Sequence, residues 1–181
     1  MLNNLLEVKK IFLYKLDFSE LKTVDCKLPI EIERINTKNI SKVLNFRDTN
    51  TENCFKNMLR SDEIGVYGML NNKAVGHAWC AMSKNNVKKE VGSFFKTKSE
   101  IAYLHFVNVK KDFRGNDICP YLVYNLFKTV NENYDIDIIY TDIEHNNLSS
   151  QNVVKKLGFK LYKKYTFIDI LGHTVNRRTL K

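Results

Sequence analysis

Long apolar runs are absent from this 181-residue chain, and no helix that could cross a membrane is encoded. The opening residues, Met1-Leu2-Asn3-Asn4-Leu5-Leu6-Glu7, lack the basic, apolar and small-residue regions of a signal peptide. Cysteine is sparse: Cys26, Cys54, Cys80 and Cys119 are never closely paired, which argues against a zinc site and fits free thiols in a reducing compartment. We therefore expect a cytoplasmic protein. Glycine-rich phosphate loops are also missing, because no Gly-Lys-Ser/Thr occurs. Arginine is the minor cation, 6 residues against 23 lysines, in a chain of net charge +9 that also carries 21 asparagines. That pattern matches the codon drift of a genome poor in G and C, with lysines spread over solvated faces, better than a nucleic-acid-binding patch.

What is present is a folded composition, 44% hydrophobic and 12% aromatic, in a length that suits one domain. The chain is organised around residues 103–130. Tyr103-Leu104-His105-Phe106-Val107-Asn108-Val109 reads as a strand, Lys110 to Asp117 as a basic turn with one glycine, and Ile118-Cys119-Pro120 as a helix start. The first N–H groups of a helix lack intrahelical partners, and the dipole adds positive charge there, so this arrangement is an anion cradle.

The remaining elements follow from periodicity. Residues 9–18 are β-prone, and Ile30–Ile35 alternate as a half-buried strand after Pro29. From Thr37, as N-cap, the chain reads helical through Arg47, and a further helix covers Thr51–Ser61 with a stripe of Cys54, Phe55, Met58 and Leu59. Ile64–Leu70 and Ala74–Met82 are strands joined by a hairpin-like turn at Asn71-Asn72-Lys73. Residues 83–100 read as a Lys-rich loop around Phe94-Phe95. The helix from Ile118 to Asn131 buries Leu122, Val123, Leu126, Phe127 and Val130, and tolerates Pro120 in its first turn. A strand at Ile136–Ile143, a short helix at Ser149–Leu157 ended by Gly158, and a strand at Phe159–Leu171 complete the order before a polar tail.

Two of these stretches carry a family resemblance. Val109-Lys110-Lys111-Asp112-Phe113-Arg114-Gly115-Asn116-Asp117-Ile118-Cys119 resembles the acyl-coenzyme A motif of the GNAT N-acetyltransferases, a strand-ending Val followed by Arg/Gln-x-x-Gly-x-Gly/Ala at a helix start. Downstream, Asn147-Leu148-Ser149-Ser150 through Lys156-Leu157-Gly158-Phe159 resembles the family's Asn-x-x-Ser/Ala…Lys-Leu-Gly-Phe helix. The likeness covers about residues 30–170, leaving 1–28 as an N-terminal extension packed on a single domain spanning 1–181. It implies an α/β (α+β) fold: a mixed, mostly antiparallel, twisted sheet of about seven strands flanked by helices, with splayed central strands. It also implies acetyl-CoA as cosubstrate, no metal, and an amine as acceptor, in a monomer or homodimer.

By the same resemblance, Val107, Asn108 and Val109 hold the pantetheine arm, and Arg114, Gly115, Asn116, Asp117, Ile118 and Cys119 surround the pyrophosphate. Asn147 matches the asparagine that touches the arm, with Ser150 and Lys156 on the same helix. Asp117 and Cys119 stand where the family has Gly and Gly/Ala, and a carboxylate beside a pyrophosphate is repulsive unless it points to solvent or meets a lysine. Val154 stands where many members carry the tyrosine that protonates the leaving thiolate; Ser150 is the alternative proton donor, or simply a helix-start residue.

Amine attack on a thioester needs positioning, N–H donors for the oxyanion and a base. His105 is the favoured base: it lies four residues before Val109, on the same face of the strand, and an imidazole titrates near neutrality. A buried structural histidine is the competing assignment. Glu144, after the next strand, is the second candidate and would act through water, against the commoner role of a solvated loop carboxylate. His77, His145 and His173 show no metal-ligand spacing. Tyr103 shares the face of His105 and lines an acceptor pocket in this reading; Tyr67, Trp79, Phe94 and Phe95 are weighed for the same role against core packing. The alternatives for the whole chain are a non-catalytic acyl-CoA sensor on the same fold and a basic nucleic-acid binder.

Overall fold

The computed structural model describes residues 6–82, 101–170 and 173–180. Eight strands form one sheet, β1 (Leu6–Asp17), β2 (Glu31–Arg34), β3 (Ile64–Leu70), β4 (Lys73–Met82), β5 (Ile101–Val109), β6 (Ile138–Glu144), β7 (Lys160–Ile170) and β8 (His173–Leu180). Three α-helices accompany them among the described residues: α1 (Thr49–Arg60), α2 (Ile118–Asn131) and α3 (Leu148–Lys156). The strand order is β2-β3-β4-β5-β6-β1-β7-β8. Every neighbouring pair is antiparallel except β5 and β6, which run parallel. The fold is therefore the mixed, mostly antiparallel α+β sheet expected, with one strand more than the seven anticipated.

Local chemistry explains the elements. Asn71 and Asn72 both take positive φ, 49° and 61°, which is what a tight β3–β4 hairpin requires and what asparagine tolerates. The Asp48 side chain accepts from the Thr51 N–H at 2.8 Å and caps α1. Gly158, at φ 101°, ends α3 in the left-handed conformation. Leu122, Val123, Leu126, Phe127 and Val130 of α2 are all completely buried, as their spacing predicts, and pack with Val154 of α3 on one face of the sheet. The opposite face of β3 and β4 is covered by α1 and a 3-10 helix at Ile40–Asn45, around Phe55, Tyr67 and Trp79.

Three expectations need correction. The helix anticipated from Thr37 to Arg47 is only that short 3-10 segment. Asn36 Oδ1 accepts from the Lys38 and Asn39 N–H groups, and Asn39 reaches back to the Arg34 carbonyl, so these side chains compete with a longer helix. Cys54, placed in the buried stripe of α1, is exposed, because the inward face centres on Phe55. The polar tail is strand β8, which pairs with β7 from Lys164↔Leu180 to Ile170↔His173; Thr174, Val175 and Thr179 are residue types that favour strands. The loop expected at 83–100, with Phe94 and Phe95, lies outside the described residues, as does the side chain of His173.

The strand expected near residues 9–18 is β1, and it sits inside the sheet, antiparallel to β6 on one side and β7 on the other.

Candidate active site

The sheet opens between β5 and β6. Their ladder contains only Ile101↔Ile138, Ala102↔Ile139 and Tyr103↔Tyr140, after which the strands part. A bulge in β5 lies just beyond the last pair. On the β4 side, the register slips between His77 and Trp79, so that Trp79 pairs with His105 but His77 with Asn108. The extra residue is in β5, where Phe106 adopts φ 47°, rare for an aromatic residue. The bulge also overturns one expectation. His105 and Val109 do not share a face: His105 lies with Trp79 on the α1 side, while Val109 packs with Leu122 on the α2 side. Tyr103 does share the face of His105, with ring centroids 6.4 Å apart.

A cleft of about 550 Å³ begins at the start of α2 and runs along β5. Its wall contains Val107, Asn108, Val109, Arg114, Gly115, Asp117, Ile118, Cys119, Asn147, Ser150 and Lys156. A second cleft, of about 240 Å³, lies in the opening between β5 and β6 and includes His105, Phe106, Thr141, Asp142 and Val154. Val107, Cys119, Ser150 and Val153 line both, and so mark where one leads into the other. Asn116 and Glu144 line neither. Asn116 instead ties down the loop before β2, its carbonyl accepting from the Lys27 N–H and the Cys26 thiol. Glu144 is exposed at the end of β6.

At the large cleft, Gly115 has φ 83° and Asp117 has φ 60°, with Asp117 as the N-cap residue of α2. Asp117 makes no side-chain cap bond. Lys156 Nζ stands 2.7 Å from its Oδ1 and Lys27 Nζ 3.9 Å from its Oδ2. The Lys156 bond, aided by the charges of both lysines, holds the carboxyl below the usual range. The repulsive carboxylate thus meets lysines. Arg114 Nε donates to the Val109 carbonyl at 3.0 Å and fixes the turn to the end of β5. The cleft fits an elongated anion: a helix N-terminus, a glycine turn and cationic side chains lie along one wall, and an opened strand edge along the other. Cys119 is half-buried at the junction, and desolvation pushes its thiol up to about 11 despite Arg114. Asn147 Oδ1 accepts from the Ser150 N–H at 3.1 Å and caps α3.

At the small cleft, His105 Nε2 lies 2.8 Å from Glu63 Oε2, and both side chains are largely buried, 16% and 7% exposed. Glu63 precedes β3, and nothing local in the sequence links it to His105. With Nε2–H donated to the carboxylate, the lone pair of a neutral imidazole sits on Nδ1. Val154 is only 3% exposed. The other histidine nearby, His77, is structural: it is fully buried among Phe46, Phe55 and Phe106, and burial lowers its pKa to about 3, so it stays neutral. Tyr67 and Trp79 are core residues with no exposure. His145 is exposed and stacks edge-on against Phe12.

Comparison with known proteins places this architecture. Aminoglycoside N-acetyltransferase AAC(6')-Iy, solved with the bisubstrate analogue CoA-S-monomethyl-acetylneamine, superposes with a TM-score of 0.56 at 17% identity over 72% of this chain and 90% of its own. An acetyltransferase from the GNAT family of Colwellia psychrerythraea gives 0.64 at 14% identity, over 91% of this chain and 56% of its own. A tandem GNAT protein of the clavulanic acid biosynthesis pathway, solved without AcCoA, gives 0.63 at 10% identity; this chain spans about half of it, 55%, with 92% of its own residues. No curated protein sequence matches the chain. Residues 33–159 match the family model described as "Acetyltransferase (GNAT) family", which takes in the parted strands, the turn before α2 and α3, and the chain belongs to that family.

Proposed function

We propose that this protein transfers the acetyl group of acetyl-CoA to a primary amine by direct attack, with no metal taking part. One observation carries the reading: a continuous cleft leads from the N-terminus of α2 through the opening between β5 and β6 to a buried His–Glu pair. Bound in it, acetyl-CoA supplies an activated thioester. The first-turn amides of α2 at Ile118 and Cys119, with Arg114 and Lys156, hold the pyrophosphate. The backbone of Val107 and Val109, released from pairing with β6, lies along the pantetheine arm.

His105 then takes a proton through Nδ1 as the amine nitrogen bonds to the acetyl carbon, while Glu63 steadies the imidazolium. The carbon–sulfur bond breaks, and Ser150, at the junction of the clefts, hands a proton to the sulfur and recovers one from solvent or from His105. Catalysis in this scheme is mainly positioning with one general base.

Two measurements test it together. Acetyl-CoA at about a hundred times its Kd is expected to stabilise the fold by about 2.7 kcal/mol, a melting shift of several degrees. A panel of primary amines is expected to release free thiol from it. No shift at millimolar acetyl-CoA sinks the proposal. Binding without thiol release supports the second reading, an acyl-CoA sensor, which is favoured by the burial of Val154 where a tyrosine would give a proton.

The Asp117–Lys156 pair gives a further expectation. Asp117→Gly removes a carboxylate from the cradle, frees Lys156 and relieves a left-handed non-glycine residue. Acetyl-CoA affinity by titration calorimetry should rise about two- to fivefold, the scale of an exposed ion pair. Unchanged or weaker binding would show that the ion pair orders the turn instead.

A further inference from the structure

The small cleft holds one more charged group. Tyr103 and Tyr140 are the last paired residues of β5 and β6, and both belong to the cluster around Leu13 on the α1 face. Two residues further along each strand stand His105 and Asp142. Asp142 is the ladder partner of Leu13, which fixes it on that same face. His105 and Asp142 therefore flank the opening at the same level, one on each parting strand, and both line the cleft. The Tyr103 hydroxyl donates to Asp142 Oδ1 and aims the carboxylate across the gap.

Asp142 differs from the other paired acids of this protein. Asp17, Glu20, Glu33, Glu52 and Asp117 each meet a lysine, and Glu63 meets His105. Asp142 is in none of the ion pairs among the described residues. A half-buried carboxylate that meets no lysine among the described residues offers a place for a cation from outside. Burial raises its pKa, and the charge of Glu144 raises it further, which is the signature of a carboxylate lacking a nearby positive charge.

We infer that Asp142 binds the acceptor amine in its ammonium form at the mouth of the opening, opposite His105, so that the enzyme prefers acceptors that arrive as cations. This rests on the acetyltransferase reading above. Asp142 attracts and orients the ammonium; His105, with Glu63 behind it, takes the first proton and passes it to solvent before attack, and so is free to take the second as the nitrogen bonds to the acetyl carbon. Weakly basic amines, neutral at pH 7, gain nothing from Asp142. The selected class is alkylamines, with aromatic-bearing ones suited by Phe106 at the cleft wall.

The test uses two acceptors of the same shape: 2-phenylethylamine, a cation at neutral pH, and O-benzylhydroxylamine, which is neutral. Steady-state kinetics are measured for the full-length wild type and for Asp142→Asn, which keeps the side-chain volume and an acceptor for Tyr103. The variant should raise KM for 2-phenylethylamine relative to O-benzylhydroxylamine by about ten- to a hundred-fold, the value of a charge-assisted hydrogen bond. Asp142→Glu should recover part of that ratio, whereas a purely structural role would not separate the two amines. An unchanged ratio, with thiol release intact, overturns the inference and leaves the acetyltransferase reading standing. If Asp142→Asn melts early, the wild type decides alone: equal KM for the two amines overturns the inference. Absence of thiol release with every amine overturns both.

Discussion

Replacing His105 with glutamine is expected to lower kcat/KM for amine acetylation by about a hundred- to ten-thousand-fold while acetyl-CoA binding persists. The imidazole stands at the far end of the clefts from the α2 N-terminus, so the cofactor's charged end is untouched by the change. Glutamine keeps a hydrogen bond toward Glu63 but cannot accept and release a proton at neutral pH. Glu63→Gln should be milder, because the base remains and only its tautomer and the stabilisation of its charged form are lost. The measurement is thiol release over a range of pH, with binding followed by calorimetry. A wild-type profile that falls on the acid side, and that flattens in His105→Gln, fits a base that must be unprotonated. A glutamine variant as active as the wild type would make His105 structural and leave positioning alone to carry the reaction.

Phe55→Ala is expected to cost about 3–5 kcal/mol, the range for truncating a fully buried phenylalanine. Phe55 has no exposure, and its ring centroid lies 4.8 Å from His77, 4.8 Å from Trp79, 5.9 Å from Phe106 and 6.1 Å from Tyr67. It packs α1 onto β3 and β4 and also touches the bulge that turns β5. Relaxation around the void is limited, since Trp79 and Tyr67 are themselves fully buried. The melting temperature should fall by roughly 10 °C. Urea unfolding of wild type and variant checks the free energy. Activity should fall as well, beyond the loss of folded protein, because Phe106 loses a contact that supports its left-handed backbone. A cost under about 1 kcal/mol would contradict the packing described here.

Much of this was legible in the residues. The five apolar positions of α2 announce a buried face, Asn71-Asn72 announces a hairpin, and Gly158 marks a helix end. The large cleft also followed from local pattern, since all eleven residues named in its wall lie in two short stretches, 107–119 and 147–156, and only Asn116 of the expected cradle turned elsewhere. The small cleft was less readable. Glu63 and His105 meet across the sheet, and Asp142 faces His105 only because β5 and β6 run parallel and then part. Such pairings have no spacing in the sequence. The bulge was hidden for another reason: phenylalanine is a residue one would not place at positive φ, so the alternation of β5 was read straight through Phe106, and Val109 was put on the wrong face. Asparagine side chains hid the third miss, by turning the segment after β2 into a short 3-10 helix.

The interior place of β1 has a consequence for how the protein is made. Its neighbours in the sheet are β6 and β7, with Leu6 opposite Ile170 and Asp17 opposite Ile138. During synthesis the earliest of the strands must wait for nearly the latest ones, while β2 to β5 can assemble as soon as they emerge. Half of the sheet is then ready long before the other half can close. Pairing over such separations is slow, because the chain entropy of a very long loop is lost before any contact compensates it. The half-finished sheet meanwhile shows β5 with its β6-facing edge bare, the same edge that the mature protein keeps open on purpose along Leu104 to Val109. Chaperone demand during translation should therefore concentrate in the interval before β7 leaves the ribosome.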